Sequence, residues 1–273
     1  MEYTEVLCRR EKGGIFYYSS PLLDSYGVVN AFPERSGGFS AGIYSSLNFT
    51  TSTGDAEETV KKNVEKFLSV FSSSPGQAVR THQIHGVDIL EAGSAAAPAG
   101  AGLLFPIAPS DGLITADPDL TLLAGSADCS LILLYDPVRR LAAALHAGWR
   151  GAARDMAGRG VEAMLARGAR PEDLLAFLPP AIGPCCFETD GDVPDAMRRG
   201  FGREADPFLV PLTPGRYKVD LPAINAHALF RRGLKAEHIE VTRLCSCCHE
   251  VFYSHRRDGR RRGLSCALIR IPS

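Results

Sequence analysis

Along residues 55–71 the apolar side chains Val60, Val64, Phe67, Leu68 and Phe71 recur at offsets 0, 4, 7, 8 and 11, the spacing of one helix face. The preceding Asp55-Ala-Glu-Glu58 has the character of a capped helix start. A second helical pattern covers 152–166 and is closed by Gly168. A third follows Asp220-Leu-Pro, where Pro222 suits a first turn. Continuous apolar runs at 131–135, 141–145, 174–182, 239–242 and 264–271 predict buried strands. Strands and helices alternate without an internal repeat or a long linker. That pattern, with at least one tight hairpin, predicts an α+β or mixed-sheet α/β fold. The loosest stretch, 92–109, is rich in Ala, Gly and Pro and reads as a surface loop within one domain covering 1–273.

The hairpin carries the first chemistry. Asp136-Pro-Val-Arg139 has Asp first and Pro second, a turn signature between two apolar runs. A turn centred on Pro137 and Val138 pairs Tyr135 with Arg140 and Leu131 with Ala144. The same register sets Cys129 opposite His146, and directly opposed Cβ atoms lie about 4.5–5.5 Å apart, within reach of one metal ion. A plainer alternative is that both residues merely cap a buried hairpin. Gly148 and Gly151 favour a site, because they permit a sharp exit into a helix whose N-terminus could face an anion. Asp128, beside the cysteine, is a candidate acid–base group. Thr81-His-Gln-Ile-His-Gly86 offers a third ligand, and His85, next to Gly86, is favoured over His82. A His–Cys–His set leaves one tetrahedral position open, the arrangement of catalytic rather than structural zinc. Separations of 44 and 17 residues between these three match no short zinc motif.

Composition narrows the setting. Hydrophobic residues at 45% and charged residues at 22% are ordinary for a globular chain, and a formal net charge of −1 argues against broad attraction to nucleic acid or membrane. The N-terminus shows no secretory pattern, and no stretch approaches a transmembrane span, so a reducing cytoplasm is the expected setting. There the eight cysteines are thiols or metal ligands. Cys185-Cys186 and Cys245-Ser-Cys-Cys248 could form a four-cysteine zinc site, but adjacent cysteines are awkward ligands for one tetrahedral ion, and the reading favours buried free thiols. Gly38-Phe-Ser40-Ala-Gly42 fits a serine-hydrolase elbow in letters but lacks the strand before and the helix after. The basic run at 255–262 reads as a solvated turn or an anion site.

Read together, several blocks resemble the bacterial purine nucleoside phosphorylase family once called polyphenol oxidase or laccase-domain proteins, the YfiH/YlmD group. The blocks are Arg35-Ser-Gly-Gly-Phe-Ser-Ala-Gly-Ile-Tyr-Ser-Ser-Leu-Asn48, Gly54-Asp55, Gln83-Ile-His-Gly86 and Asp111-Gly-Leu-Ile-Thr115. They continue with Ala127-Asp-Cys129, His146-Ala-Gly-Trp-Arg-Gly151, Ile182-Gly-Pro184, Asp220-Leu221 and Phe252-Tyr-Ser-His-Arg-Arg-Asp258. Each alone is weak; in order, over nearly the whole chain, the set is specific. Cys185, Cys186, Cys247 and Cys248 are not marks of that family.

The resemblance implies a single layered α/β/β/α domain with mixed sheets, related to the cytotoxic-necrotising-factor deamidase fold. It implies zinc, with copper as a further possibility, on His85, Cys129 and His146. It also implies phosphorolysis of adenosine, inosine and methylthioadenosine, and deamination of adenosine. Arg35, Arg150 and Arg256 are candidates for phosphate and Asn48 for the nucleoside. The partners expected are small purine nucleosides and phosphate, not nucleic acid or membrane. Rival readings are a metal-independent cysteine hydrolase or deamidase using Cys129 and His146, a copper-dependent phenol oxidase, and a non-enzymatic metal protein that docks an anionic surface through 255–262.

Overall fold

The computed structural model describes residues 2–93 and 108–272. Two large mixed sheets stack face to face, and helices cover both outer faces. One sheet has seven strands, in the order Thr4–Glu5, Ile239–Val241, Leu175–Leu178, Ser130–Asp136, Leu141–Ala147, Gly112–Thr115 and Ile89–Glu91. The other has six, in the order Arg9–Lys12, Ile15–Tyr18, Val29–Pro33, Ser265–Arg270, Thr121–Ser126 and Ala78–Arg80. A small three-stranded sheet, Glu188–Asp190, Arg216–Val219 and Leu209–Thr213, stands apart from both.

Strand alternation explains the layers. In Ser130–Asp136 the odd-numbered Leu131, Leu133 and Tyr135 join Ala142, Ala144 and Phe177 against Leu122, Ala267 and Ile269 of the second sheet. Ile132 and Leu134 turn the other way, with Ala143 and Leu145, onto Val161, Met164, Ile224 and Leu229 of the covering helices. On the far side, the Glu57–Val70 helix lays Val64, Phe67 and Leu68 on Leu123 and Leu268. The central strands Ser130–Asp136 and Leu141–Ala147, buried on both faces, are accordingly nearly continuous apolar runs. The α+β class and the α/β/β/α layering expected from the sequence are what is observed. Among the described residues no helix is long and apolar enough to cross a membrane.

Several local expectations need correction. The turn after Ser130–Asp136 takes four residues, because Asp136 Oδ1 accepts from the backbone N–H groups of both Val138 and Arg139 and Arg140 adopts a left-handed φ of 53°. The register therefore pairs Leu141 with Asp136 and His146 with Leu131, so Cys129 does not face His146 across the ladder. The 152–166 helix is two helices, Trp149–Ala153 and Met156–Leu165. They are broken where Asp155 turns left-handed and its carboxylate caps Gly158 N–H. Asp55 does not cap the Glu57–Val70 helix, whose N-cap is Ala56. Its carboxylate accepts instead from Ser40 Oγ and Asn48 Nδ2. The strand at 174–182 is shorter, Leu175–Leu178. The third helix is Leu221–Arg231, with Pro222 in its first turn as expected, and the Asp220 side chain caps it by accepting from Ala223 N–H. Of the 92–109 loop, 94–107 lie outside the described residues.

Candidate active site

Cys129 occupies the link by which the chain leaves one sheet for the other. Thr121–Ser126 belongs to the six-stranded sheet and Ser130–Asp136 to the seven-stranded one, so Ala127, Asp128 and Cys129 cross at the rim between them. The crossing is tight: Asp128 has φ 102° and Ser126 Oγ donates to the Cys129 carbonyl at 2.6 Å. Both Asp128 oxygens hold neighbours, Oδ1 accepting from Ser246 Oγ and Oδ2 from Arg256 N–H, each at 2.7 Å. A carboxylate so engaged ties the turn to Ser246 and to the Arg256 backbone.

His146 ends the central hairpin on the inter-sheet face and is 3% exposed. Its Nδ1–H donates to Asp111 Oδ1 at 2.8 Å, which leaves Nε2 directed into the site. The same Asp111 carboxylate accepts the backbone N–H groups of Ile84 (3.1 Å), His85 (3.0 Å) and Gly86 (2.6 Å). It thus orients one imidazole directly and the other through its loop, in which His85 takes a left-handed φ of 60°. Although burial opposes ionisation, His146 and the Gly86 N–H hold the Asp111 carboxyl below its usual range. Gln83 moors the loop from the other side, exchanging two 2.8 Å bonds with the Gly125 backbone.

The His85, Cys129 and His146 ligand atoms all lie within 4.8 Å of one another, with Cys129 Sγ 4.0 Å from His85 Nε2. His82 lines the neighbouring cavity but is not in this cluster. Burial opposes the Cys129 thiolate, yet His146 and His85 bring its pKa down to about 6. Burial likewise disfavours the His146 cation, and the Cys129 and Asp111 anions outweigh it, raising its pKa to about 9. A soft, neutralising cation suits this donor set, since it takes the thiolate and the free imidazole nitrogens together. Space is reserved for the cluster: a Cβ on Gly148 would stand 2.8 Å from His85 Cδ2 and 3.1 Å from Cys129 Sγ.

Two cavities meet at the cluster. One, of about 340 Å³, has hydroxyl-bearing walls from Thr50, Ser52 and Thr81, with Arg80 and Arg262. The other, of about 410 Å³, is walled by Trp149, Ile182, Phe187 and Leu221, with Arg150 and Arg256. Arg262 borders both, and its Nε is buried without a hydrogen-bond partner. Arg150 lies over the Trp149 ring at 4.2 Å. Arg256 is partly engaged, its Nη1 donating to the Cys186 and Glu188 carbonyls at 2.9 Å.

The other two binding candidates stand away from these walls. Arg35 donates to the Ser45 carbonyl at 2.6 Å and the Ile43 carbonyl at 3.3 Å, over the Tyr253 ring. Asn48 is fully buried: Nδ2 donates to Thr50 O and Asp55 Oδ2, and Oδ1 accepts from Thr50 N–H and Leu264 N–H. Its amide braces the loop beside the first cavity. Asp111 and Arg262 received no role from the sequence. Asp111 stood inside a block shared with the family, whereas Arg262 was hidden in the basic run, where only its burial distinguishes it.

The sequence matches the family described as multi-copper polyphenol oxidoreductase laccase over residues 29–272. The purine nucleoside phosphorylase YlmD of Geobacillus stearothermophilus is 33% identical over 246 residues, 89% of this chain and 90% of that protein. A purine nucleoside phosphorylase of Deinococcus radiodurans is 33% identical over 255 residues, 92% of this chain and 93% of that one. Among solved structures, the hypothetical protein YfiH of Bacillus licheniformis superposes with a TM-score of 0.90 at 29% identity, covering 96% of this chain and 98% of that one. YlmD of G. stearothermophilus superposes with 0.89 at 31%, covering 97% and 98%. By sequence and by fold, then, the chain belongs to the laccase-like polyphenol oxidoreductase family that includes the YlmD purine nucleoside phosphorylases.

Proposed function

We propose that this chain is a zinc-dependent purine nucleoside phosphorylase that also deaminates adenosine, acting on adenosine, inosine and S-methyl-5′-thioadenosine in the reducing cytoplasm. One observation carries the reading: two histidines and a thiolate converge where a polar, arginine-bordered cavity meets an aromatic-walled one. His85, Cys129 and His146 would hold the ion, which when bound would supply a Lewis acid at the junction.

The rest falls to the chain's own side chains. Trp149 and Phe187 offer aromatic surface to a purine, and Ile182 and Leu221 complete an apolar surround. Arg262 and Arg150 offer guanidinium donors to a phosphate dianion. In phosphorolysis a phosphate oxygen bonds to C1′ as the C1′–N9 bond breaks, and the purine departs with the electron pair and takes up a proton. Arg262 is suited to hold the attacking oxygens, since its unpartnered Nε is already desolvated. In deamination water adds at C6 and ammonia leaves. Asp128 serves either reaction as a positioning residue for Cys129, because both its oxygens are engaged.

The test is turnover of adenosine and inosine by metal-replete protein, with and without phosphate. Ribose 1-phosphate with free purine base, appearing only with phosphate, is expected, together with phosphate-independent inosine from adenosine. Neither product from either assay would refute the proposal. A second reading, a metal-free cysteine hydrolase, is favoured by the low Cys129 pKa of about 6 beside His146. It requires activity that survives chelation and is lost on thiol alkylation. Copper-dependent phenol oxidation is less well supported: among the described residues no second histidine-bearing cluster accompanies the first.

A further inference from the structure

A second group of metal-capable side chains lies outside the site just described. Cys185, Cys186, Cys245 and Cys248 bring all four sulfur atoms within 4.8 Å of one another. Two turns face each other to do so. The first follows Gly183, where Cys186 N–H and Phe187 N–H both return to the Gly183 carbonyl and throw Cys185 and Cys186 to one side. The second begins at Cys245, which bridges Ala181 in a parallel pairing, and closes when His249 N–H donates to the Cys245 carbonyl. This geometry removes the objection to adjacent cysteines: Cys185 Sγ and Cys186 Sγ each reach Cys248 Sγ, at 3.5 and 3.3 Å. It also corrects the expectation of buried free thiols, since Cys185 and Cys248 are exposed and only Cys245 of the four is buried.

The separations favour a single tetrahedral ion over a disulfide. Zinc–thiolate bonds of about 2.3 Å place the sulfurs of a tetrahedral site about 3.8 Å apart, whereas a disulfide needs about 2.0 Å. The Cys185–Cys248 and Cys186–Cys248 separations, 3.5 and 3.3 Å, lie within about half an ångström of that tetrahedral edge and are far too long for disulfides, and all four sulfurs stay within 4.8 Å of one another. The ligands of a multi-iron cluster would have to stand farther apart, around several metal atoms. Gly183 N–H donates to Cys245 Sγ at 3.2 Å, the amide-to-sulfur bond that stabilises a coordinated thiolate. Here too the backbone is pressed close, for a Cβ on Gly183 would lie 3.3 Å from Cys245 Cβ and 3.4 Å from Cys185 Sγ.

We infer that Cys185, Cys186, Cys245 and Cys248 form a closed tetrathiolate site for a structural zinc ion, separate from His85, Cys129 and His146. Its place gives it a purpose. The two turns it joins also carry Phe187, the Cys186 carbonyl that receives Arg256, and Ser246, which donates to Asp128. An ion there staples one wall of the aromatic cavity to the turn that presents Cys129, without touching substrate. The inference does not depend on the nucleoside chemistry.

The test counts metal in the full chain, purified under reducing conditions from zinc-supplemented culture, with Cys129→Ser removing the first site. That variant should retain one equivalent of zinc on elemental analysis. Adding Cys185→Ser or Cys248→Ser should abolish it, and adding Cys8→Ser should not. A metal-free Cys129→Ser protein, or zinc content indifferent to Cys185 and Cys248, would overturn the inference. Cobalt(II) titration of the otherwise unaltered metal-free chain is independent of whether the cysteine variants fold. Intense thiolate-to-cobalt charge transfer with tetrahedral visible bands, several times stronger than one thiolate provides, is expected. A spectrum accounted for by Cys129 alone would overturn it.

Discussion

Asp111 is the residue on which the candidate metal centre turns. Its single carboxylate orients His146 through a ring N–H and His85 through three consecutive backbone N–H groups. Asp111→Asn keeps the shape but cannot accept from all of these donors. Metal affinity should fall about 10–100-fold with the fold intact, as measured by competition with a chromophoric chelator. An unchanged affinity would show that the histidines hold their own orientation. Gly148→Ala attacks the same centre sterically, because the new Cβ would collide with His85 and crowd Cys129. Lower metal content with near-native unfolding is expected, and full metal loading would contradict it. At this scale the sequence was uneven. His85, Cys129 and His146 are the residue types that zinc selects, and chain order made them visible. Asp111 acts through its neighbours and Arg262 through its burial, neither of which a linear pattern records. Arg35 and Asn48 were candidates because a guanidinium suits phosphate and an amide suits a nucleoside; in the structure Arg35 donates to the Ser45 and Ile43 carbonyls, and the Asn48 amide is engaged by Thr50, Asp55 and Leu264.

The hairpin shows what periodicity settles and what it leaves open at the level of elements. Apolar runs located both strands, but the register depended on turn length. The Asp136 carboxylate built a four-residue turn that moved the pairing by one residue on each strand. Alternation places 131 and 133 with 142, 144 and 146 on the inter-sheet side, whereas Cys129 lies just outside the strand, in the crossing. Cys129 and His146 meet because the chain changes sheets at Cys129, a three-dimensional event with no local signature. Packing between the sheets should be correspondingly costly to disturb. Phe177 is wholly buried there, and Phe177→Ala should destabilise by about 3–5 kcal/mol in urea unfolding while leaving metal stoichiometry unchanged. The second strand of the seven-stranded sheet, Ile239–Val241, carries a pH signal. Burial raises the Glu240 pKa against hydrogen bonds from Ser20 Oγ and Leu22 N–H, with Asp24 adding to the rise. A carboxyl with a raised folded pKa favours folding at low pH and loses that contribution as pH climbs through the folded value. Glu240→Gln should therefore gain stability relative to wild type between pH 4 and pH 7. A relative loss over that interval would contradict the assignment.

For the whole molecule, the active-site candidates collect at one rim of a two-sheet sandwich, and both cavities open from that rim. Each sheet contributes a share: the six-stranded sheet leads into Cys129 and, through Gln83, anchors the His85 loop, while the seven-stranded sheet delivers His146. Rigid, doubly buried strands hold the histidine and both sides of the crossing, so the cluster is preorganised before any ligand arrives. The mixed α and β class was legible in the alternation of strand and helix signals, and the ordered blocks gave the family and, through it, the layering; the sheet orders, which draw on strands from both ends of the chain, were not. The central claim is that His85, Cys129 and His146 jointly hold one divalent ion at the meeting point of the cavities. The most direct measurement is anomalous diffraction at the zinc edge from crystals of protein loaded with zinc. A peak within bonding distance of His85 Nε2, Cys129 Sγ and His146 Nε2 is expected, with protein filling no more than three of its coordination positions. Loaded crystals with no peak among those three atoms, or with a fourth protein ligand closing the site, would contradict the account.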